Sequence, residues 1–311
     1  MKPIAITVLA VAALPYTFGP SLQAVEEDAD QAELPNRHPR MVHEYFITRL
    51  EQIEKEADNK RSAITTRQQA EAYVSEVRVK IDRCFGPWPE RTPLNARTVK
   101  TFEREGYTVE NVIYESRPGF LVSANLYIPR GKKLPAPAVL GVCGHSHNGK
   151  ASRTYQSFSQ ALALQGYVVL TIDPIGQGER LQYLGEDLKS WVGGPVFEHM
   201  YAGNQQVLVG ESFASWRTWD GIRGIDYLVS REEVDTAHIG VTGSSGGGTQ
   251  STWICANDRR ITMGAPSCFI TTFRRNFENE LPADSEQYPP FAISQGLDMS
   301  DFRAAMAPKP A

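Results

Sequence analysis

The segment IGVTGSSGGGTQ, Ile239 to Gln250, constrains the fold more than any other part of this sequence. It begins with an apolar run typical of a buried strand and passes through a glycine-rich corner into a helical pattern. Ser245 lies at the centre of the corner, with Gly243 two residues before it and Gly247 two residues after it. This G-x-S-x-G pattern predicts a strained strand-to-helix turn that exposes the serine hydroxyl above the carboxyl-terminal edge of a sheet.

The glycines of this corner favour a nucleophilic serine over a flexible linker. Side chains two positions before and after Ser245 would collide in so tight a turn. The backbone N–H of Gly246, at the positive end of the following helix, is then placed to stabilise an oxyanion. A dinucleotide-binding loop is the weaker alternative, because the spacing is not G-x-G-x-x-G and no acidic residue closes a following strand.

The rest of the chain alternates between strand-like and helix-like patterns. Continuous apolar runs, typical of strands buried on both faces, occur at 135–144, 167–176, 238–243 and 260–269. Amphipathic helical patterns separate them, which predicts an α/β fold with a mostly parallel sheet and helices on both faces. Upstream, three segments with alternating apolar residues, at 97–105, 107–116 and 120–131, predict an antiparallel meander at the sheet edge. Two predicted helices precede the meander, at 38–54 and 66–84.

The amino-terminal residues have the pattern of an export signal. Lys2 precedes an apolar run, Ile4 to Ala13, and Ala24 stands just before acidic residues. We therefore predict a signal peptide at residues 1–24 and a periplasmic or secreted location. A membrane anchor is disfavoured, because the run is short and is followed by proline. The remaining chain divides into a helical extension, 25–89, and an α/β domain, 90–311.

Charge and cysteine content narrow the class of protein. The formal net charge is −4, so nucleic acid and anionic membranes are not expected as partners. The four cysteines match no zinc motif, and we predict neither a disulfide framework nor a cofactor. Cys143 and Cys268 lie in or beside predicted core strands, where a free cysteine usually acts as a small apolar residue.

A second glycine-containing loop, GHSHNG at 144–149, follows the first buried strand. In such folds this loop supplies the other oxyanion donor, and we assign that role to the backbone N–H of His147, with His145 shaping the loop. A metal site is the alternative, but the sequence offers no third ligand. Ser146 is a weak rival nucleophile, because Asn148 stands where the second glycine is needed.

Two further groups of residues are candidates for lining the site. Asp173 and Arg180, in DPIGQGER, either contact the substrate or form a hydrogen-bonded corner beneath the site. Trp191, Trp216 and Trp219 either form a sugar-stacking surface or pack in the core, and core packing is favoured for at least one of them.

Together these motifs resemble the α/β-hydrolase superfamily, and within it the secreted branch of acetyl xylan esterases and dienelactone hydrolases. The resemblance rests on SANLYIPRG, GHSHNGK, DPIGQGER, SWRTWDGIRGIDYL, VDTAHIGVTGSSGGG and DRRITMGAP, and covers roughly residues 90–311. It implies serine ester hydrolysis of a small-molecule or carbohydrate ester, with Ser245 as nucleophile and the N–H groups of Gly246 and His147 as the oxyanion hole.

The resemblance also raises a difficulty. The family order is serine, acid, histidine, yet all six histidines of this sequence precede Ser245. We therefore expect a chain that lacks the last strands together with the base, and little activity for it alone. Glu278 or Glu280 are candidates for the acid, as some relatives place it there.

Two other functions remain open at this point. A peptidase of the prolyl-oligopeptidase type shares the G-x-S-x-G turn at 243–247, which we call the elbow. Such a peptidase also needs an amino-terminal β-propeller, for which the roughly 90 residues before the sheet are too few. A binding protein that keeps the fold without a catalytic triad is the alternative from a different class.

Overall fold

The computed structural model describes residues 38–280 and 284–310. The predicted signal peptide and the beginning of the helical extension lie outside these residues. Seven strands are described: β1 (Arg97–Arg104), β2 (Tyr107–Arg117), β3 (Phe120–Pro129), β4 (Ala136–Val142), β5 (Val168–Ile172), β6 (Val234–Ser244) and β7 (Met263–Ser267). The helices are α1 (Met41–Ser62), α2 (Arg67–Phe85), α3 (Arg153–Gln165), α4 (Pro195–Val207), α5 (Phe213–Val229), α6 (Gly246–Asn257), α7 (Phe273–Glu278) and α8 (Met299–Ala304).

The strands form one mixed sheet in the order β1-β2-β3-β5-β4-β6-β7. The pairs β5-β4, β4-β6 and β6-β7 are parallel, whereas β1, β2 and β3 form an antiparallel meander that joins β5. The predicted α/β-hydrolase architecture and the meander at its edge are confirmed. The carboxyl ends of β4, β5, β6 and β7 meet at one edge of the sheet, where ligands of such folds bind.

The centre of the sheet is buried on both faces, as the continuous apolar runs predict. Every residue of β5 is buried, and Leu140, Leu170 and Ile172 have no exposed surface. Helix α5 lies against this layer through Gly224, where an added Cβ would come within 3.1 Å of the Tyr114 hydroxyl and 3.2 Å of Leu140. This close approach brings the helix directly onto the strands that carry the site.

Of the two amino-terminal helices, α2 has boundaries close to those predicted, whereas α1 is longer than predicted. Helix α2 begins after Thr66, whose side chain accepts the Gln69 N–H in a capping box. Helix α1 continues to Ser62 rather than ending near Glu54, because no proline or glycine interrupts residues 55–62 and most of them are good helix formers.

Helix α2 packs into a second core with α6 and α8. Ile81 and Phe85 are buried there with Trp253 and Phe302. The ring centroids of Phe85 and Trp253 are 5.8 Å apart, and those of Trp253 and Phe302 are 4.5 Å apart. The described residues from Val42 onward form one compact unit. The boundary at residue 89 between the helical extension and the α/β domain remains a prediction. Helix α2, from the extension, shares this core with α6 and α8 from the α/β domain.

Helix α4 occupies a stretch for which the sequence predicted no regular structure. It starts with Pro195 in its first turn, a position that suits proline. Several of its apolar side chains are exposed, Phe197 by 54% and Val207 by 69%. Without a buried apolar stripe the helical period is hard to recognise in sequence. The short helices α7 and α8 were missed as well.

All four cysteines are free thiols. Cys84, Cys143 and Cys255 are buried, but Cys268 is exposed. The expectation that Cys268 packs in the core is wrong, because it follows β7 and alternate residues of that strand face outward. Within 38–280 and 284–310, no helix is long and apolar enough to span a bilayer.

Candidate active site

Ser245 occupies the bend between β6 and α6 and is exposed to solvent. Its backbone has φ 59° and ψ −122°, a combination that strains a residue with a side chain. The Ser245 N–H donates to the Ser267 carbonyl at 3.0 Å, and its own carbonyl accepts from the Thr249 N–H at 2.9 Å. The bend is therefore held from both sides, with the serine side chain directed outward.

The flanking glycines are required by close backbone contacts. A Cβ on Gly243 would lie 2.4 Å from the Val142 carbonyl oxygen and 2.7 Å from that of Gly247. A Cβ on Gly247 would lie 2.3 Å from the same Val142 oxygen. Real Cβ atoms do not approach backbone so closely, so both positions exclude larger residues.

The loop after β4 lies directly against the elbow. A Cβ on Gly144 would lie 2.3 Å from the Ser244 carbonyl oxygen and 3.3 Å from the Ser245 Cβ. The side-chain amide of Gln177 holds this loop by donating to the carbonyls of Gly144 at 2.6 Å and Ser146 at 2.8 Å. The loop expected to supply the second oxyanion donor is thus a direct neighbour of the serine.

The two proposed oxyanion donors belong to the two segments that meet here. Gly246 is the first residue of α6, and His147 is exposed in the loop. The His147 carbonyl accepts from the Gly178 N–H at 3.0 Å, which fixes the orientation of its peptide. Neither the Gly246 N–H nor the His147 N–H donates to any residue that the structure describes. Both are available to an incoming oxygen.

A cluster of four titratable side chains lies beside the elbow; we call it the His145 cluster. His145 Nε2 is 3.0 Å from Asp284 Oδ2 and 3.0 Å from Glu286 Oε1. On the other side of Asp284, His199 Nδ1 is 2.6 Å from the same oxygen. The cluster borders the elbow, since a Cβ on Gly246 would lie 2.6 Å from Glu286 Oε1 and 2.8 Å from His145 Cε1.

Burial controls the ionisation of this cluster. Desolvation lowers the pKa of His199 to about 4, despite the opposing effect of Asp284. Burial acts to raise the pKa of Asp284, but hydrogen bonds from His145 and His199 outweigh it and hold that pKa below its usual value. Arg217 is fully buried and contacts Glu286 Oε2, and desolvation lowers its pKa to about 10. Neutral His199 therefore faces an ionised Asp284.

Asp173 and Arg180 form the buried corner beneath the site. Asp173 has no exposed surface and accepts from Ser123 Oγ at 2.8 Å and from the Lys150 N–H at 2.7 Å. Arg180 Nη1 donates to the Asp173 carbonyl at 3.0 Å and to Asp220 at 2.8 Å. These contacts are those of a hydrogen-bonded corner, and Asp173 also lines the cavity described below.

The two candidate acids predicted from the sequence, Glu278 and Glu280, do not belong to the His145 cluster. Glu278 pairs with Arg274 and Arg275 at 2.6 Å each, on its own helix. Glu280 is exposed. The carboxylates that lie beside the elbow are instead Asp284 and Glu286, a few residues further along the chain.

Sequence reasoning missed most of the His145 cluster. His199 lies on the unrecognised α4, and the two carboxylates belong to a short 3₁₀ helix, Ser285–Gln287, which Asp284 caps. The only signal was the paired histidines of GHSHNG, and the structure separates them: His145 joins the cluster, while His147 faces solvent.

The three tryptophans do not form one surface. Trp219 is 2% exposed and donates to the Ser116 carbonyl at 2.7 Å, so its place is the core. Trp216 packs edge-on against Phe120 under the Arg117 guanidinium. Trp191 is 64% exposed and contacts the rings of Tyr183 and Tyr201.

A cavity of about 1150 Å³ opens beside the loop after β4. Its lining includes His147 and Asn148 from that loop, the amide side chains of Asn111, Asn125 and Gln160, and apolar and aromatic side chains such as those of Val109 and Tyr127. The cavity thus adjoins the loop that is expected to supply the second oxyanion donor.

The acetyl xylan esterase (AXE1) family matches residues 93–288, which is more than half of the chain. The chain belongs to the AXE1 family. The matched range contains the elbow, the loop after β4 and the whole His145 cluster. The AXE1 family and its structural neighbours are carboxylic ester hydrolases.

Individual relatives of this AXE1 protein are distant. The hydrolase YtaP of Bacillus subtilis (strain 168) is 27% identical over 254 residues, which are 76% of this chain and 78% of YtaP. A Bacteroides fragilis NCTC 9343 structure named as an acetyl xylan esterase has a TM-score of 0.66 at 17% identity, covering 79% of this chain and 68% of that one. Methylesterase BT1017 has a TM-score of 0.63 at 23% identity, covering 83% and 54%. These two structures show the shared fold.

Proposed function

We propose that this protein is a serine esterase in which Ser245 attacks the carbonyl carbon of an acylated carbohydrate or small molecule. The observation that carries the proposal is the exposed Ser245 on a strained bend, with the loop after β4 directly against it. Such a bend stores strain that a purely structural turn would not need.

The reaction follows from this geometry in two steps. The Ser245 oxygen bonds to the ester carbonyl carbon and its proton passes to solvent water, while the electron pair of the carbonyl π bond moves onto the carbonyl oxygen, which becomes an oxyanion. The N–H groups of Gly246 and His147 donate to that oxyanion as it forms. The alcohol leaves with a proton, and water then attacks the acyl-enzyme to release the acid and restore the serine.

An acylated carbohydrate is the proposed substrate class. The AXE1 family is named for acetyl xylan, and the cavity beside His147 has amide side chains suited to sugar hydroxyls. A sugar chain in this cavity would approach the oxyanion donors from the side of the loop after β4.

Low turnover of this chain is part of the proposal. His145 and His199 are engaged with Asp284, and neither they nor His147 hydrogen-bonds to the Ser245 hydroxyl. A serine hydroxyl without an adjacent base is a weak nucleophile. Slow acylation is therefore expected even where the oxyanion hole is intact.

A fluorophosphonate probe tests the nucleophile separately from turnover. We expect slow single-site labelling that peptide mapping assigns to Ser245 and that Ser245→Ala abolishes. Ser146→Ala is the matched control, since it removes the rival serine and should leave labelling unchanged. An unlabelled, folded chain would instead favour a non-catalytic binding protein.

Acetate release from acetylated xylo-oligosaccharides tests the turnover and the substrate class. We expect release that is detectable and lost in Ser245→Ala. Rapid turnover would overturn the low-activity part of the proposal and leave the nucleophile standing. Cleavage of prolyl peptides in place of esters would favour the peptidase alternative.

We also infer export, on the basis of the signal-like pattern of residues 1–24. Expression of the full chain in a bacterium with a periplasm should give a mature protein that starts close to Val25. Amino-terminal sequencing checks this, and an intact Met1 on a cytoplasmic product would contradict it.

A further inference from the structure

We propose that His145, His199, Asp284 and Glu286 form a binding site for one divalent transition-metal ion. These four residues come from the loop after β4, from α4 and from the segment that follows α7. An ion there would join three segments that are distant in sequence, directly beside the elbow. The site does not depend on the proposed esterase activity.

The distances among the donor atoms suit a single ion. Two ligands at right angles, each about 2.1 Å from an ion, lie about 3.0 Å apart. His145 Nε2 is 3.0 Å from both Asp284 Oδ2 and Glu286 Oε1, His199 Nδ1 is 2.6 Å from Asp284 Oδ2 and would have to move apart from it, and all four donor atoms lie within 4.8 Å of one another. One ion can therefore contact all four after small side-chain shifts.

The side chain of Glu286 gives a second, independent indication of a bound cation. The residue is 1% exposed; its Oε2 contacts the Arg217 guanidinium, whereas its Oε1 accepts no hydrogen bond of ordinary geometry from the described residues. Its Oε1 is directed at His145 Nε2, into the cluster. A buried carboxylate oxygen without a hydrogen-bond donor is rare in proteins, and a bound cation is one way to satisfy it.

The donor set selects the class of ion. Two imidazole nitrogens and two carboxylate oxygens suit Zn²⁺, Mn²⁺ or Fe²⁺ rather than Ca²⁺ or Mg²⁺, which favour oxygen-only sites. The His145 side chain is 20% exposed, whereas those of the other three are at most 3% exposed. The ion would therefore enter past His145.

Charge alone does not decide between an ion and a hydrogen-bonded network. Asp284 and Glu286 carry two negative charges and Arg217 one positive, so the group has a net charge of −1, which a divalent ion would change to +1. Arg217 contacts Glu286 Oε2, and Oε1 is the oxygen left for the ion. The geometry and the unpartnered oxygen therefore carry the inference.

Calorimetric titration of the chelator-treated full chain with ZnCl₂ or MnCl₂ tests the site. We expect one equivalent to bind, with affinity at least about 100-fold weaker in His199→Gln and Asp284→Asn. The matched control is His238→Gln, which alters an exposed histidine that pairs with Asp235 at 2.7 Å on the far part of β6. It should bind the metal like the wild type.

The visible absorption of bound Co²⁺ distinguishes a metal ligand from a residue that only stabilises the fold. This absorption depends on the ligands, so His145→Gln, at the most exposed ligand, should shift the spectrum while circular dichroism stays native. Absence of stoichiometric binding by the wild type would overturn the site. Binding that survives both His145→Gln and Asp284→Asn with an unchanged spectrum would overturn it equally.

Discussion

At the scale of single residues, the elbow requires glycine at particular positions. Gly243 and Gly240 both lie in β6, three residues apart, yet their surroundings differ. A Cβ on Gly240 would have its nearest neighbour at 3.6 Å, an ordinary contact, whereas a Cβ on Gly243 would overlap backbone oxygen. The requirement therefore belongs to the bend and not to the strand.

This difference predicts the behaviour of two matched variants. Gly243→Ala should lower the free energy of unfolding by about 1–3 kcal/mol, because backbone must move to admit the methyl group. Gly240→Ala should change it by less than about 0.5 kcal/mol. Urea unfolding followed by tryptophan fluorescence measures both. Equal effects of the two substitutions would show that the elbow is not tightly packed.

A second prediction at this scale concerns thiol reactivity. Burial raises the pKa of Cys84 to about 11 and that of Cys255 to about 12, whereas hydrogen bonds with Ser267 and Ser244 lower the pKa of exposed Cys268. A lower pKa gives more thiolate at a given pH, and the thiolate is the reactive form. Iodoacetamide at pH 8 should alkylate Cys268 of the native protein first.

Mass spectrometry after peptide mapping identifies the alkylated cysteine. The native protein should gain one adduct and the denatured protein four, while native Cys268→Ser should gain none. Early modification of Cys84 in the native protein would show that the second core is open to solvent.

At the scale of elements, α2 is part of the core that supports α6. Its buried face meets Trp253 on α6 and Phe302 on α8. Because α6 begins at the elbow, the packing of α2 contributes to fixing the helix that presents Gly246. Helix α2 thus acts as a structural support although it precedes the sheet in sequence.

Substitutions on opposite faces of α2 test this support. Ile81→Ala, at a residue 1% exposed, should lower the free energy of unfolding by about 2–5 kcal/mol. Val79→Ala, at a residue 50% exposed, should lower it by less than about 0.5 kcal/mol. Denaturant unfolding gives both values. A small effect at Ile81 would indicate that the helical extension folds apart from the α/β domain.

At the scale of the whole molecule, the site assembles from segments far apart in sequence. The elbow follows β6, its neighbouring loop follows β4, and the His145 cluster adds α4 and the segment after α7. Parallel strands bring their carboxyl ends to one edge, so loops that are about 100 residues apart become neighbours. The fold, more than any local motif, creates the cluster.

Much of this arrangement was predictable from local patterns. The buried strands, the meander, α2, α5 and the G-x-S-x-G elbow each have a signal within a dozen or so residues, since apolar periodicity and glycine placement reflect local geometry. The exposed helix α4 and the outward-facing Cys268 were mispredicted, because exposure depends on what packs against a segment rather than on its own residues.

The sequence by itself determined the α/β order of elements and the position of the serine, because strand burial and a tight turn leave their marks on neighbouring residues. Only the tertiary structure decided that His145, rather than His147, meets His199, Asp284 and Glu286. No spacing rule links these four positions. Their contact arises from the parallel order of β4 and β6 and from the path of the chain after β7 back beneath the elbow.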